Sequence, residues 1–281
     1  MVVVGAGQMG AGIAQVAAEA GLDVVMSDVD EEAAKRGLRT IVKNLGRGVE
    51  RGKLTEADKE TVLARVKLST SLRALGEFDI VIEAAVERMD VKLEVFRELD
   101  QVAPEHAVLA SNTSSLSITA LAAATSRPER VIGMHFMNPV PVMRLVEVVR
   151  GLQTADQTCE AVHQLAKRLG KTPADVSDTP GFAINRVLIP MINEAIFCVQ
   201  EGVASPEGID LVMTLGANHP LGPLALADLI GLDTCLAVME VLHEGLGDPK
   251  YRPCPLLRKY VEAGWLGRKS GRGFHRYGSE P

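Results

Sequence analysis

The sequence predicts an α/β chain in which a mostly parallel, doubly wound sheet is followed by an all-α domain. Three observations carry this. Short apolar runs of strand character alternate with helical stretches over residues 1–178. A glycine-rich segment, Gly5-Ala-Gly-Gln-Met-Gly10, stands between the first such run and the first helix. Beyond Thr179-Pro-Gly181 only long helical patterns follow. The 281 residues are a usual length for two domains, here placed at 1–178 and 179–281.

Val2–Val4 is a short apolar run that leads into the glycines. Its brevity leaves two readings open, a short first strand or a natural chain that starts earlier. Ala11–Ala20 is alanine-rich with a period near 3.6, and Gly21 ends it as a C-cap would. Leu22–Met26 is a second β-type run, closed by Ser27 and Asp28. Residues 31–66 read as helical. Asp79–Ala85, Ala107–Ala110, Arg130–Met134 and Arg144–Val149 then read as strands, with helical patterns at 91–103, 118–125 and 156–169. Lys171–Asp178 reads as a last strand or a connection. The second domain carries helical patterns at 182–202, 206–215, 222–246 and 254–264, with Pro190 expected to bend the first of them.

Composition narrows the function classes. At 47% hydrophobic and 23% charged residues the chain is an ordinary globular one, so wholesale disorder and fibrous architectures drop out. A net charge of −6 makes it a poor bulk binder of nucleic acid. Cys159, Cys198, Cys235 and Cys254 are scattered, with no CxxC and no histidine at metal-ligand spacing, so neither a disulfide framework nor a metal site is expected. No apolar run reaches membrane-span length, and the first basic residue is Lys35, unlike a signal or mitochondrial leader. A cytoplasmic location is the expectation.

The glycine segment has the context that a dinucleotide fingerprint needs. Gly5 permits the tight turn, Gly7 admits the pyrophosphate close to the backbone, and Gly10 lets helix and strand approach. The diphosphate is then met by free N–H groups at a helix N-terminus. Asp28, at the end of the next strand, is placed to accept from the adenosine ribose and to repel a 2′-phosphate, which favours NAD over NADP.

Leu145-Val-Glu-Val-Val149 puts a carboxylate inside an apolar strand, where an unpaired charge is costly. The nearest credible partner is His135, which alone among the six histidines ends an apolar strand. The residues between them include Pro139 and Pro141, which suit a turn that brings two strand ends face to face. A histidine oriented by a carboxylate is a general-base arrangement, although the same spacing also suits a plain polar core pair.

With Gly5–Gly10 and Asp28, Glu83-Ala-Ala-Val-Glu87 with Lys92, Ser111-Asn-Thr-Ser-Ser115, Met134-His-Phe-Met-Asn-Pro-Val-Pro141, Leu145-Val-Glu-Val148, Thr179-Pro-Gly-Phe-Ala-Ile-Asn-Arg186, His219-Pro-Leu-Gly-Pro223, Asp228-Leu-Ile-Gly-Leu-Asp233 and Gly267-Arg-Lys-Ser-Gly271 in that order, the whole chain resembles the L-3-hydroxyacyl-CoA dehydrogenase family in its single-function form. The resemblance implies a Rossmann-like first domain and a helical second domain that dimerises. It also implies NAD-dependent interconversion of an L-3-hydroxyacyl-CoA and a 3-ketoacyl-CoA. The family's catalytic pair falls on His135 and Glu147, and its substrate-binding residues fall on Ser114 and Asn185. Its nicotinamide-side contacts fall on Glu87, Lys92, Asn138 and Lys269.

Residues 31–53 carry seven basic and three acidic side chains. Arg36, Arg39, Lys43 and Arg47 share one helix face, opposite Leu38, Ile41, Val42, Leu45 and Val49. That stripe suits the phosphates of CoA, or is simply a solvated face. Two other functions are open on the sequence: a related dehydrogenase of a CoA-free 3-hydroxy acid, as in the lambda-crystallin-like enzymes, and a non-catalytic NAD-binding protein.

Overall fold

An eight-stranded sheet organises the first of two compact units, Met1–Asp178, in the computed structural model, which describes residues 1–278; the second unit is Thr179–Pro281. The strands are β1 Val2–Val4, β2 Val24–Ser27, β3 Val66–Ser69, β4 Ile80–Glu83, β5 Val108–Ser111, β6 Val131–Phe136, β7 Leu145–Arg150 and β8 Thr172–Ser177. Their order is β3-β2-β1-β4-β5-β6-β7-β8. Neighbours run parallel except β6 and β7, which form an antiparallel hairpin. The order reverses between β1 and β4, and sheets of this kind bind ligands outside the carboxyl ends of the strands at such a point.

The helices of this unit are α1 Gln8–Glu19, α2 Glu31–Glu50, α3 Glu56–Ala64, α4 Met89–Val102, α5 Ile118–Ala122 and α6 Asp156–Arg168. Residues 31–66 are not one helical stretch. The chain turns at Gly52, whose φ of +66° suits glycine, and Thr55 with Asp58 forms a capping box that starts α3. The stretch then ends in β3, a strand hidden from periodicity because its two middle residues, Lys67 and Leu68, are both exposed. On α2 the residues Ala34, Gly37, Ile41 and Leu45 are buried, while Arg36, Arg39, Lys43 and Arg47 are exposed. Val42, expected on the apolar face, is exposed instead.

The second unit holds α7 Ile184–Gln200, α8 Pro206–Gly216, α9 Pro223–Ile230, α10 Leu232–Leu246 and α11 Pro255–Glu262. Its core gathers Ile189, Ile192, Ile196, Leu224, Leu232 and Leu242, among others. The expected long helix over 222–246 is two helices, because Gly231 adopts φ +105° and breaks it. Among the described residues no helix is long and apolar enough to cross a membrane.

Candidate active site

The glycine-rich turn is built as a cradle. Gly5 has φ +98°, and a Cβ there would lie 2.5 Å from the Ala84 carbonyl oxygen at the end of β4. A Cβ on Gly10 would lie 1.8 Å from the Gly5 carbonyl oxygen, so only glycine lets α1 start this close to β1. Gly7 differs: nothing stands within 4 Å of a Cβ placed there, and the residue is exposed. Gly7 is also the N-cap of α1, gives no side-chain cap, and is followed by no acidic residue in the first turn. The helix thus presents uncapped N–H groups and a positive dipole end to an open space, which fits a diphosphate. Asp28 closes the far side. Its Oδ2 accepts from Ala6 N at 2.8 Å and its Oδ1 from Asp30 N at 3.2 Å, which holds a carboxylate beside the turn.

A buried ionic network lies across the same strand ends. Glu83 stands in register between Val4 on β1 and Ser111 on β5. It is fully buried, and its carboxylate accepts from Lys92 Nζ at 2.6 Å, Ser111 Oγ at 2.6 Å and Ala85 N at 2.7 Å. The Lys92 ammonium also reaches Glu87 at 3.4 Å, although the side chain is only 1% exposed. Glu87 in turn gathers the loop after β5: Thr113 Oγ1 donates to it at 2.7 Å, Ser114 N at 2.9 Å and Ser114 Oγ at 3.0 Å. Burial pushes the Glu87 carboxyl up, but the Lys92 charge and the Thr113 and Ser114 bonds outweigh it and hold it below the usual carboxylate value.

His135 and Glu147 face each other directly across the β6–β7 hairpin. Nδ1 of the imidazole lies 2.8 Å from Oε2 of the carboxylate, and both residues are buried. A carboxylate only accepts, so Nδ1 carries the hydrogen and the tautomer is fixed. His135 lies within β6 rather than just past it, two residues beyond the Gly133 that pairs with Ser111. The pair therefore shares the carboxyl edge of the sheet with the glycine cradle and the Glu83 network. In the loop after β6, Asn138 Oδ1 accepts from Gln8 Nε2 at 3.0 Å, which ties that loop to the first turn of α1.

The structure thus brings Gly5, Gly7, Gly10, Asp28, Glu87, Lys92, Ser114, Asn138, His135 and Glu147 to one edge of one unit. Asn185 and Lys269 belong to the second unit. Asn185 is half-buried in the first turn of α7, and Lys269 Nζ lies 2.6 Å from both carboxylate oxygens of Asp233. Lys92 is an interior residue, and its ammonium is occupied by Glu83, Ala85 and Glu87. Sequence reasoning gave no role to Glu83, Ser111 or Thr113. A carboxylate on an apolar β-run, as Glu147 is within its own, was the available signal for Glu83. Gln8 and Asn112, whose Oδ1 accepts from Phe136 N at 2.8 Å, gave none, since their partners are distant in sequence.

Comparison with known proteins identifies the family. The family model of the 3-hydroxyacyl-CoA dehydrogenase NAD-binding domain matches residues 1–179, and that of the C-terminal domain matches residues 181–277. A 3-hydroxybutyryl-CoA dehydrogenase of Bradyrhizobium diazoefficiens is 58% identical over 280 residues, covering 99% of this chain and 96% of that protein. The human mitochondrial hydroxyacyl-coenzyme A dehydrogenase is 44% identical over 283 residues, covering 98% of this chain and 90% of that protein. The crystal structure of (S)-3-hydroxybutyryl-CoA dehydrogenase from Ralstonia eutropha matches with a TM-score of 0.96 and 57% identity, covering 99% of this chain and 98% of that one. The chain belongs to the 3-hydroxyacyl-CoA dehydrogenase family, and with its NAD-binding domain it is an NAD-dependent oxidoreductase of 3-hydroxyacyl-CoA thioesters.

Proposed function

We propose that His135, backed by Glu147, is the general acid–base of this dehydrogenase and that its substrate is a short L-3-hydroxyacyl-CoA. The carrying observation is the 2.8 Å Nδ1–Oε2 contact of a buried pair at the coenzyme edge of the sheet. NAD, when bound, supplies the acceptor for the hydride that leaves substrate C3. The 3-hydroxyl proton must leave as well, and an alcohol is too weak an acid to release it unaided near neutrality. With Nδ1 turned to Glu147, Nε2 of His135 takes that proton, and the carboxylate stabilises the imidazolium that results. In the reducing direction the imidazolium returns the proton to the ketone oxygen.

The residues at the glycine cradle hold NAD: uncapped N–H groups of α1 for the diphosphate, and Asp28 for the ribose. Glu87, oriented by Lys92, Thr113 and Ser114, serves the nicotinamide side together with Asn138, and on the second unit Lys269 is proposed as a coenzyme contact. On the first unit Ser114 binds a substrate oxygen and so helps align the reacting carbon, and on the second unit Asn185 is proposed as a substrate-binding residue. The short acyl chain rests on the relatives, which are named for 3-hydroxybutyryl-CoA. The CoA phosphates are assigned to the stripe on α2. Arg36 there already pairs with Asp30 at 3.2 Å, whereas Arg39, Lys43 and Arg47 form no ion pair among the described residues. The protein is proposed to be a homodimer through its second unit. On α8 no residue is buried, and Leu211, Val212 and Leu215 are 57%, 65% and 78% exposed. The four cysteines are free, which suits a cytoplasmic setting.

Oxidation of NADH by acetoacetyl-CoA, followed at its absorbance, tests the reading. His135→Gln should lower kcat by about 10³-fold or more while leaving NADH affinity within a few-fold. Full activity in that variant, or a wild type that binds NADH but turns over no 3-ketoacyl-CoA, overturns it. In the same assay, reversing Arg39 and Lys43 to Glu should raise KM for acetoacetyl-CoA but not for a short CoA-free 3-keto analogue.

A further inference from the structure

A buried lysine stands behind the catalytic hairpin and has no part in the chemistry just described. Lys171 occupies the position between Gly170 and the first residue of β8 and is 8% exposed. Its Nζ donates to the carbonyl oxygens of Val140 at 2.5 Å and Met143 at 2.9 Å. Both belong to residues 137–144, the loop that joins the strand of His135 to the strand of Glu147. Among the described residues no carboxylate lies within ion-pair distance of this ammonium, although a buried cation ordinarily has one.

The loop has reason to need an outside donor. Pro139 and Pro141 bring no N–H groups. The N–H groups of Val142 and Met143 both turn to one acceptor, the Pro139 carbonyl, each at 3.0 Å. That leaves the Val140 and Met143 carbonyls to be met by a side chain, and Lys171 meets both. Its backbone is fixed for the task. Lys171 N donates to Ala166 O at 2.9 Å at the end of α6, and Thr172 N donates to Arg144 O at 2.7 Å where the loop enters β7. From there β8 runs in register with β7, Thr172 beside Leu145 and Ala174 beside Glu147. On another side the loop is pressed against α1, since a Cβ on Gly12 would lie 2.9 Å from Val140 Cβ.

We propose that Lys171 is a positioning residue for catalysis: its ammonium sets the shape of loop 137–144, and through that loop the placement of Asn138 and the alignment of His135 with Glu147. The proposal rests on the reading of His135 and Asn138 given above. Burial lowers the Lys171 pKa below the ordinary lysine value, against the opposing charge of Glu19 at the end of α1. No charged group of α6, β7, β8 or the loop forms an ion pair with it among the described residues. The charge that locks the loop is therefore released on the alkaline side earlier than a surface lysine would release it.

The experiment compares wild type, Lys171→Met, Lys171→Arg and Asn138→Ala as whole proteins. Measurements are NADH affinity by fluorescence, kcat and KM with acetoacetyl-CoA near neutrality, kcat in the oxidising direction with NAD and 3-hydroxybutyryl-CoA from pH 6 to about 10.5, where alkalinity removes no proton donor that the reaction needs, and thermal midpoint. Lys171→Met should fold, lose at least tenfold in kcat and bind NADH several-fold more weakly. Lys171→Arg keeps a charge that does not titrate, so it should recover part of kcat and push the alkaline fall of kcat upward in pH. A folded Lys171→Met with kcat and NADH affinity within twofold of wild type overturns the proposal. So does a Lys171→Arg whose alkaline limb coincides with the wild type's. If Lys171→Met does not fold, the arginine variant decides alone. Unchanged NADH binding in Asn138→Ala instead removes the coenzyme role of Asn138 and leaves the alignment of the hairpin to be judged on kcat.

Discussion

Glu147→Gln isolates what the carboxylate does for the imidazole. The substitution keeps the side-chain shape in a strand position that is 2% exposed and removes only the charge. At the observed 2.8 Å between Nδ1 and Oε2, a carboxylate and an imidazolium attract by about 6 kcal/mol at an effective dielectric of ~20. Only part of this acts on the barrier. The proton is partly transferred in the transition state, and the glutamine amide keeps a neutral hydrogen bond. A third to a half of the attraction, about 2–3 kcal/mol, translates into a loss in kcat of roughly 10²-fold. The loss should appear in both directions, because the same imidazolium is product of one and reactant of the other. Stopped-flow or steady-state oxidation of NADH by acetoacetyl-CoA measures it, with NADH affinity by fluorescence as the control. A kcat within threefold of wild type would refute the argument. So would a parallel collapse of kcat, NADH affinity and thermal midpoint, since that would make Glu147 a part of the fold rather than of the proton transfer.

The cradle makes a paired prediction. Gly7→Ala meets open space and should leave the thermal midpoint within a few degrees while weakening NADH at least tenfold. Gly10→Ala would drive a methyl into the Gly5 carbonyl at 1.8 Å and should fail to fold or lose most of its stability, as circular dichroism will show. Lys92→Met leaves Glu83 as a buried carboxylate without its cation, and urea unfolding should report a loss of about 3–5 kcal/mol. Glu87 has a folded-state pKa below its ordinary 4.5, so its stabilising contribution is complete above that value and disappears as pH falls through the lowered one. The stability gap between wild type and Glu87→Gln should accordingly be widest near neutrality and close in the acid range; a gap that widens on acidification contradicts the assignment.

Much of the site was legible because its parts are local or carry an unusual residue in an ordinary pattern. The glycines and Asp28 announce themselves by spacing along one β-α-β unit. Glu147 is legible as a charge inside an apolar strand, and the two prolines before it mark a turn that leads back to His135. What the sequence concealed is non-local. Glu83 on β4 draws in Lys92 of α4 and Ser111 of β5, and no single period records that. Asp178 is a further instance. It lies 59–61 residues from the α5 N-terminus, yet accepts from Ser117 Oγ, Ile118 N and Thr119 N and so caps that helix. The boundaries that failed did so for local backbone reasons, Gly52 ending α2 and Gly231 splitting the helical run of the second unit.

The single antiparallel joint of the sheet explains why the proposed acid–base pair sits where it does. A parallel return needs a crossover of a dozen or more residues, whereas an antiparallel one needs only a loop. His135 and Glu147 are twelve positions apart, and only the loop 137–144 separates their strands, too short for a crossover, so only the hairpin can make them neighbours. Opposite residues on one face of an antiparallel pair keep their Cβ atoms about 4.5–5.5 Å apart, close enough for a direct imidazole–carboxylate bond without a bridging water. The arrangement is also intolerant. Because side chains alternate faces, a slip of one residue in the β6–β7 register would carry Glu147 to the opposite face and put Val146 or Val148 beside the imidazole. Register is held on one side by Phe136 N donating to Asn112 Oδ1, and on the other by the pairing of β7 with β8. A fold that reads as a parallel dinucleotide-binding sheet therefore reserves its one reversal of direction for the place where two side chains must meet at hydrogen-bond distance, and fastens that reversal from both flanks.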